Sequence, residues 1–382
     1  MENLELYIHI PFCVKKCNYC DFLSACRGAG DQTAYMNQLF KELIVTSPLA
    51  AKYTVSSVFI GGGTPSLVDP DLITMLLEVV RKYYALSGDC EITIECNPGT
   101  TLRHKFARYR QAGINRLSIG LQSADNEELK TLGRIHTFEE FLKSYQSARM
   151  EGFTNINVDL INCFPGETAS SWKKTLRNVL MLKPEHVSVY NLIVEEGTPF
   201  YRMQEEGTLS LPSEEEMSAI DAVTKDVLLR REYHRYEVSN YAREGYECRH
   251  NKGYWTGVPY LGFGIGAASY FEGRRLKNEN DFYKYLSAEP VSDARESFYR
   301  LKTENEKLSE EEKMREFMIL GLRLTDGIST IEFFKRFGRR TEDVYGDILE
   351  KYTGLGMLER VGYKLRFTER GMDVSNVILS EF

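Results

Sequence analysis

Six short runs rich in β-branched and aromatic residues recur along the first half of the chain, with helix-like segments between them. The runs are 4–10, 57–63, 91–97, 116–122, 155–161 and 186–192. The intervening segments place apolar residues three and four positions apart, and several begin at an Asp, Thr or Ser suited to capping. This alternation implies right-handed crossovers and a parallel sheet with helices outside it. Because a closed barrel needs eight units, we expect an α/β fold built on a partial (β/α)6 TIM-like barrel, with an open sheet as the alternative.

The rhythm changes after about residue 205, which predicts three parts: a barrel (1–205), an extension (206–304) and a C-terminal domain (305–382). The last part reads as a helix, two short helices and a hairpin-like segment, a pattern typical of a winged-helix-like α+β module. Residues 323–382 hold ten Lys or Arg and ten Asp or Glu, so DNA binding by this module has little electrostatic support. We expect a structural or partner-facing cap.

Charge and hydropathy exclude several classes of function. The formal net charge of −7 argues against a general nucleic-acid surface. No stretch approaches the roughly 20 continuous apolar residues of a membrane span, and no secretory leader precedes the first strand. The eight cysteines lack the spacing of a small disulfide framework. The sequence therefore predicts a cytoplasmic protein with reduced thiols.

Three cysteines lie within eight positions in the stretch HIPFCVKKCNYCDF (9–22), namely Cys13, Cys17 and Cys20. Thiolates are soft ligands that suit an iron–sulfur cube, and three of them leave one iron open to a small molecule. Zinc is an alternative, with Cys26 or His9 as the fourth ligand. A thioredoxin-like redox pair at Cys17 and Cys20 is another.

Other unusual polar residues fall where the predicted strands end, which is the rim that carries the site in barrels of this kind. They are Gly61-Gly62-Gly63-Thr64-Pro65, Glu95-Cys96-Asn97-Pro98, Gly120-Leu121-Gln122-Ser123, Asp159 and Asn191. Glu95, Gln122 and Asp159 can bind ribose hydroxyls or an ammonium group, and Arg134 can hold a carboxylate. Each alone reads equally well as a solvated loop residue, and the glycines as a tight turn. Their common placement favours a binding site.

The motifs CxxxCxYC, GGGTP and ECNP, each after a successive strand, resemble those of the radical S-adenosylmethionine (SAM) superfamily. The resemblance is closer to the branch that contains oxygen-independent coproporphyrinogen III oxidases and haem chaperones, and it covers nearly the whole chain. It implies a [4Fe–4S] cluster on Cys13, Cys17 and Cys20, with SAM on the fourth iron. An electron passed to the sulfonium would release a 5′-deoxyadenosyl radical. The positions that match those used for SAM are Tyr7, Tyr19, Gly62, Gly63, Thr64, Glu95, Gln122, Arg134 and Asp159.

Two departures separate the chain from the oxidases of that branch. The oxidase motif continues with a further cysteine where this chain has Phe22, and only twelve residues precede Cys13. We therefore expect a protein that binds haem and transfers it to acceptor haemoproteins. Oxidative decarboxylation of coproporphyrinogen III to protoporphyrinogen IX is the alternative, and a zinc-stabilised interaction protein a further one. The resemblance also implies an electron donor and makes a homodimer plausible, and it leaves open whether SAM is cleaved.

A third difference is the stretch CRHNKGYW (248–255), which contains an HNxxYW pattern that resembles the haem-binding motif of the haem chaperones in this branch. Imidazole is a common axial ligand of haem iron, so His250 is the predicted ligand, with Cys248 as a rival. Tyr254 and Trp255 are expected to pack on the macrocycle. Arg249 or Lys252 can meet a propionate. The alternative is a hydrogen-bonded loop histidine beside a core aromatic residue.

Overall fold

The computed structural model describes residues 2–100 and 103–382. The six predicted strands form parallel neighbours in the order of the sequence. They are β1 (Glu2–Ile10), β2 (Tyr53–Gly62), β3 (Leu86–Cys96), β4 (Arg116–Gln122), β5 (Ile156–Asn162) and β6 (His186–Asn191). The expected partial barrel is therefore confirmed.

Helices cover the outer face of these strands, as the apolar periodicity predicts. They are α1 (Ala29–Thr46), α2 (Pro70–Tyr83), α3 (Arg103–Gln111), α4 (Asn126–Thr131), α5 (Phe138–Met150) and α6 (Ala169–Met181). Asp69 caps α2, while Thr137 and Thr168 form capping boxes at α5 and α6. The first two residues of the third predicted helix, 101 and 102, lie outside the described residues. Along β1, Leu4, Leu6, Ile8 and Ile10 are buried in the core that includes these helices.

The segment that follows β6 adds strands to both edges of the barrel sheet. Its elements are α7 (Pro199–Glu205), α8 (Glu214–Leu229), β7 (His234–Arg235), β8 (Asn240–Ala242), α9 (Arg249–Thr256), β9 (Tyr260–Phe263), β10 (Ala268–Phe271), β11 (Arg274–Asn278), α10 (Phe282–Ser287), α11 (Ala294–Arg300) and β12 (Lys302–Lys307). β8 pairs with β6, and β9 pairs with β1, giving a sheet of twelve strands. A partial barrel exposes two unpaired edges, and these strands satisfy them. The sheet runs across residue 205, so the first predicted domain boundary stays a prediction.

The C-terminal elements have a separate apolar core that includes Met318, Phe333 and Leu365. They are α12 (Glu310–Gly321), β13 (Ile328–Ser329), α13 (Thr330–Phe337), α14 (Thr341–Gly354), β14 (Leu358–Val361), β15 (Lys364–Phe367), α15 (Glu369–Asp373) and α16 (Ser375–Leu379). The strands pair antiparallel in the order β13-β15-β14. Helix–strand–helix–helix–hairpin is the winged-helix-like arrangement that the sequence predicts. Among the described residues, no helix is long and apolar enough to cross a membrane.

Candidate functional site

The cysteine loop follows β1 and is held in shape by the barrel around it. Cys13 N–H donates to the carbonyl oxygen of Ala25 (3.1 Å). Asn18 donates to the carbonyl oxygens of Leu132 through its backbone N–H (3.0 Å) and of Thr131 through its side chain (2.9 Å). Gly133, with φ of +76°, packs so closely that a Cβ there would lie 2.8 Å from the Asn18 side chain. The loop conformation is thus fixed by protein contacts.

All three thiols of the loop are free and half-buried, and polar groups approach two of them. Thr64 Oγ1 lies 3.6 Å from Cys13 Sγ, and Arg134 Nη1 donates to Cys17 Sγ (3.4 Å). Burial, reinforced by the neighbouring Cys17 and Cys13, raises the pKa of the Cys20 thiol to about 11. A donor aimed at a thiol sulfur stabilises the thiolate form that a metal requires.

The two predicted candidates for a fourth zinc ligand are otherwise engaged. The ring nitrogens of His9 bond to Tyr7 Oη (3.0 Å) and the Leu23 carbonyl oxygen (2.8 Å), and Cys26 Sγ donates to the Val14 carbonyl oxygen (2.9 Å). Throughout residues 2–100 and 103–382, no three His, Cys, Asp or Glu side chains converge as a metal-ion site. Zinc needs its ligands around one point, whereas a cube binds each thiolate to a different iron. A zinc ion bound by the three cysteines and either His9 or Cys26 would therefore require that fourth ligand to give up a present hydrogen bond.

The glycine turn after β2 allows the cysteine loop to approach the barrel. A Cβ on Gly62, where φ is +115°, would lie 2.6 Å from the His9 ring. A Cβ on Gly63 would lie 2.7 Å from the Phe12 carbonyl oxygen and 3.0 Å from Cys13 Sγ. The missing side chains of these glycines therefore allow the cysteine loop to pack closely against the strand end. They can also leave room for a ligand.

Asn97 connects the second and third strand ends to Arg134. Its Nδ2 donates to Thr64 Oγ1 (2.8 Å), and its Oδ1 accepts from Arg134 Nη2 (2.7 Å). The same guanidinium donates to the Gly120 carbonyl oxygen (2.8 Å), while its Nε is buried without an acceptor in the described part of the chain. Asn97 was not singled out from the sequence, although the ECNP motif contains it.

Glu95, Gln122 and Asp159 all lie at the same end of the barrel. Glu95 Oε2 accepts from Gly62 N–H (3.0 Å), and burial, reinforced by the Asp159 charge, raises the pKa of Glu95 to about 8. Asp159 accepts from the side chains of Ser118 (2.8 Å) and Asn157 (2.7 Å). Gln122 is buried and has φ of +75°, a conformation that costs a residue with a side chain free energy and recurs at functional sites.

The two predicted tyrosines lie in different surroundings. Tyr7 is inside the barrel, stacked on Phe59 with ring centroids 6.4 Å apart. Tyr19 packs in an apolar cluster with Leu132, Phe164 and Phe200. Tyr19 thus anchors the cysteine loop.

The HNxxYW residues lie elsewhere, in α9, which packs against the concave side of the sheet. Glu91 accepts from the backbone N–H groups of Arg249 (3.1 Å) and His250 (3.3 Å) at the start of the helix. A Cβ on Gly253 would lie only 2.0 Å from the Glu5 carboxyl group. Glu5 and Glu91 each pair in register with Ser57, several residues before the cysteine end of the strands. α9 therefore fills the barrel interior beneath the cysteine loop.

His250 is a buried, fully hydrogen-bonded residue of α9, with a side chain 1% exposed. Its Nδ1 bonds to Ser57 Oγ (2.8 Å) and its Nε2 to Tyr254 Oη (2.8 Å). Burial, together with the charge of Arg116, lowers the pKa of His250 to about 3, so the ring is neutral. Cys248 is also buried, and burial raises the pKa of its thiol. Neither group presents a free ligand atom in this structure.

A chain of hydrogen bonds joins the two regions. Asn157, which donates to Asp159, accepts from His186 Nδ1 (2.6 Å), and His186 Nε2 bonds to Tyr236 Oη (2.8 Å). Tyr236 Oη also accepts from Cys248 N–H at the start of α9 (3.2 Å). The strand-end carboxylate and the helix are therefore positioned by one buried network.

Comparison with known proteins agrees with this geometry. Residues 7–179 match the model of the radical SAM superfamily, and residues 308–374 match that of the HemN C-terminal domain. The chain is 32% identical to the heme chaperone HemW of Bacillus subtilis over 98% of both chains. It is 34% identical to the heme chaperone HemW of Escherichia coli over all of this chain and 98% of that one. The chain belongs to the HemW family of radical SAM proteins.

A solved structure supports the fold of this family member. The coproporphyrinogen III oxidase HemN from Escherichia coli, described as a radical SAM enzyme, superposes with a TM-score of 0.84. The match covers 99% of this chain and 89% of that one at 24% identity, which shows a shared fold.

Membership of the radical SAM superfamily implies a [4Fe–4S] cluster and SAM. The loop fits such a cluster, because it offers three thiols that form no disulfide, one of them with an Arg134 donor. The orphaned Nε of Arg134, buried at the same rim, fits a ligand that carries an acceptor group.

A large cavity of about 800 Å³ lies between the barrel side and the C-terminal domain, a volume in the range of small-molecule sites. Tyr7, Tyr254, Trp255 and Tyr260 contribute aromatic walls on one side, and α12 faces them. Of the two cations predicted to meet a propionate, Lys252 lines the cavity, whereas Arg249 pairs with Asp89 at 3.0 Å. No sequence motif indicates that the C-terminal domain closes this space.

Proposed function

We propose that this chain is a haem chaperone that binds haem and passes it to acceptor haemoproteins. The observation that carries the proposal is similarity over almost the full length to several proteins named heme chaperone HemW, together with a large aromatic cavity beside the HNxxYW helix. The cavity provides what a flat macrocycle requires, namely apolar walls and nearby cations for its carboxylates.

The cysteine end of the barrel serves the cofactor. Cys13, Cys17 and Cys20 would hold the [4Fe–4S] cluster, and the chemistry that this group would supply is an electron for SAM. Arg134 takes the SAM carboxylate through its unpartnered Nε, while its Nη1 steadies the Cys17 thiolate. The remaining SAM contacts come from Tyr7, Tyr19, Gly62, Gly63, Thr64, Glu95, Gln122 and Asp159.

Buried acids tune this site. Because Glu95 has a raised pKa, its carboxyl group is neutral at moderate pH and can both donate and accept a hydrogen bond. Hydrogen bonds from Ser118 and Asn157 fix the orientation of the Asp159 carboxylate, so the lone pairs that remain available to a ligand have a fixed direction.

Haem lies in the cavity against Tyr254 and Trp255. The indole Nε1 of Trp255 is buried without an acceptor within the described residues, which fits a ligand oxygen at this wall. His250 belongs to the same motif and holds Tyr254 by a hydrogen bond.

The setting of the protein follows from the chemistry of its groups. We assign the protein to the cytoplasm, a reducing compartment in which its eight cysteines would stay thiols. The cluster needs an electron donor. A homodimer, which family resemblance suggests, belongs to this proposal as well.

Anaerobic reconstitution followed by parallel assays tests the function. The reconstituted protein is titrated with haem, incubated with apo-haemoprotein acceptors, and separately incubated with coproporphyrinogen III, SAM and reductant. We expect a saturable haem absorption band, transfer of haem to an acceptor and no decarboxylated product. Formation of protoporphyrinogen would instead identify an oxidase. A colourless protein with one bound zinc would contradict the cluster and support the zinc-stabilised alternative.

A further inference from the structure

The iron ligand within the cavity can be deduced from the hydrogen bonds of α9. His250 has no free ring nitrogen, since Ser57 Oγ and Tyr254 Oη occupy both. Tyr254 differs, because its hydroxyl has one partner among the described residues and its side chain lines the cavity. Phenol oxygen is an established haem-iron ligand type in proteins.

We propose that Tyr254 Oη is the axial ligand of ferric haem, and that His250 is a positioning residue that accepts the phenol proton. This inference rests on the proposed function, because it concerns the haem that the chaperone carries. It reverses the roles predicted from the sequence, where the imidazole was the ligand and the tyrosine a packing surface. A Tyr–His pair at this spacing places both side chains on one face of a helix.

The space around the phenol agrees with this role. Tyr254 packs edge-on against His250 (ring centroids 4.8 Å apart) and Tyr260 (4.7 Å), which leaves the ring little freedom to move. Tyr7, which stacks on Phe59 inside the barrel, lines the same cavity as Tyr254. The ligand is thus held before haem arrives, which lowers the entropic cost of binding.

The binding step is a proton-coupled ligation with no change of oxidation state. The Oη–iron bond forms as the O–H bond breaks, and the proton passes to His250 Nε2. Before haem binds, the phenol and the imidazole are joined by the 2.8 Å hydrogen bond between Tyr254 Oη and His250 Nε2. The positive iron then stabilises the phenolate, as metal ions do for other acidic ligands. Glu5 Oε2, 3.7 Å from His250 Nδ1 and otherwise unpartnered in the described chain, offers a carboxyl group beside the new imidazolium.

Cations at the cavity suit the two propionates of haem. Lys252, Lys313 and Arg336 line it and form no ion pair within 4.0 Å among residues 2–100 and 103–382. Arg275 and Lys364 also line it, but Glu316 and Asp326 neutralise them. Free cations on the α9 side and the C-terminal side can therefore hold carboxylates across the opening.

Titration with ferric and ferrous haem of the full-length protein and two variants tests the assignment. We expect the wild type to show a phenolate-to-iron charge-transfer band with ferric haem, and Tyr254→Phe to lose both this band and most of its affinity. His250→Ala should retain the band while binding roughly 10–100-fold more weakly, because second-sphere partners of metal ligands contribute about that much. Ferrous haem should bind the wild type less tightly than ferric haem, since an anionic oxygen prefers the more highly charged iron.

Tyr246→Phe is the matched control, because this exposed tyrosine lies outside the cavity and should behave as the wild type. Far-ultraviolet circular dichroism and thermal unfolding establish that Tyr254→Phe is folded. Unchanged haem spectra in Tyr254→Phe would overturn the assignment. A further variant, His234→Ala, removes the other imidazole that lines the cavity. Loss of the charge-transfer band in His250→Ala or in His234→Ala, but not in Tyr254→Phe, would also overturn it. Failure of the wild type to bind haem would instead contradict the proposed function itself.

Discussion

The cysteine end of the barrel and the α9 region beneath it carry the two motifs that resemble known binding sites, yet they differ in how their polar groups are satisfied. At the cysteine end, the three thiols form no disulfide, and the Arg134 Nε has no acceptor within the described residues. In α9, both ring nitrogens of His250 already have protein partners. A polar group left unsatisfied at a site costs folding free energy, so it marks a place for a ligand.

The contrast shows that one motif can combine residues with structural and functional roles. In HNxxYW, His250 is bonded inside the barrel and Gly253 packs on Glu5, while Tyr254 and Trp255 reach the cavity. His250 and Gly253 thus hold α9 in the barrel, whereas Tyr254 and Trp255 line the cavity. The predictions below address this division, starting with the largest expected effect.

Replacement of one proposed cysteine ligand should abolish binding of the [4Fe–4S] cluster. We expect Cys17→Ser, reconstituted anaerobically, to lose nearly all of the about four irons per chain that a [4Fe–4S] cluster brings. Cys26→Ser is the matched control, because its thiol donates to Val14 and lies outside the proposed ligand set. Iron and sulfide analysis distinguishes the two variants, and equal iron content in both would contradict the assignment.

In α9, we expect Gly253→Ala to destabilise the fold by about 3 kcal/mol, the upper range for overpacking in a closed core. The added methyl group would meet the Glu5 carboxyl group at 2.0 Å. Gly30→Ala, where a Cβ meets nothing within 4 Å, is the control and should be neutral or stabilising. Urea unfolding gives both values. A Gly253→Ala variant as stable as the wild type would show that α9 is loosely packed.

The same interface should make stability depend on pH. Burial raises the pKa of Glu5 to about 9, so as pH rises above about 4.5 the unfolded chain releases a proton that the folded chain retains. Its contribution to stability is therefore complete below about 4.5 and declines as pH rises towards 9. His250 acts in the opposite sense, since its pKa is lowered to about 3 and stability falls as pH drops below about 6.5.

Glu5→Gln isolates the alkaline part of this dependence. An amide cannot ionise, so the variant should lose less stability than the wild type between about pH 6 and pH 8, by a difference on the order of 2 kcal/mol. Denaturant midpoints at the two pH values provide the measurement. Parallel pH profiles for the two proteins would show that Glu5 is already ionised in the native state.

Periodicity explains why the barrel was predictable. β1 alternates buried aliphatic residues with polar residues that face the barrel interior. Helices such as α2 begin after a capping residue, in this case Asp69. Each element therefore carries its own signal. The edge strands do not, because β7, β8 and β9 have two, three and four residues, too few to show a period.

The site was predictable only where a motif coincides with a strand end. Asp159 and Glu95 fell on the rim because parallel strands bring their carboxyl ends together. That α9 enters the barrel depends on contacts between residues far apart in sequence, such as Glu91 with His250 and Glu5 with Gly253. No local pattern encodes these contacts, so the imidazole was read as an open ligand.

The smallest expected effect concerns the backbone of the cysteine end. Gln122 has φ of +75°, a strained conformation that glycine adopts freely. Gln122→Gly should leave stability unchanged or raise it by up to about 1 kcal/mol, because relief of strain offsets the lost side-chain contacts.

The same substitution should weaken SAM binding to the cluster-loaded protein by about tenfold, the equivalent of one hydrogen bond. Lys183→Gly, at a second strained position with φ of +53°, is the control and should gain stability without any change in SAM affinity. Anaerobic calorimetric titration with SAM and urea unfolding supply the two readouts. We infer that the strained backbone of Gln122 is retained because its side chain binds SAM. Equal SAM affinity in the two variants would show that Gln122 does not contribute to the SAM site. The case for a SAM site at the cysteine end would then depend on the Arg134 Nε, which has no acceptor within the described residues, and on the three thiols.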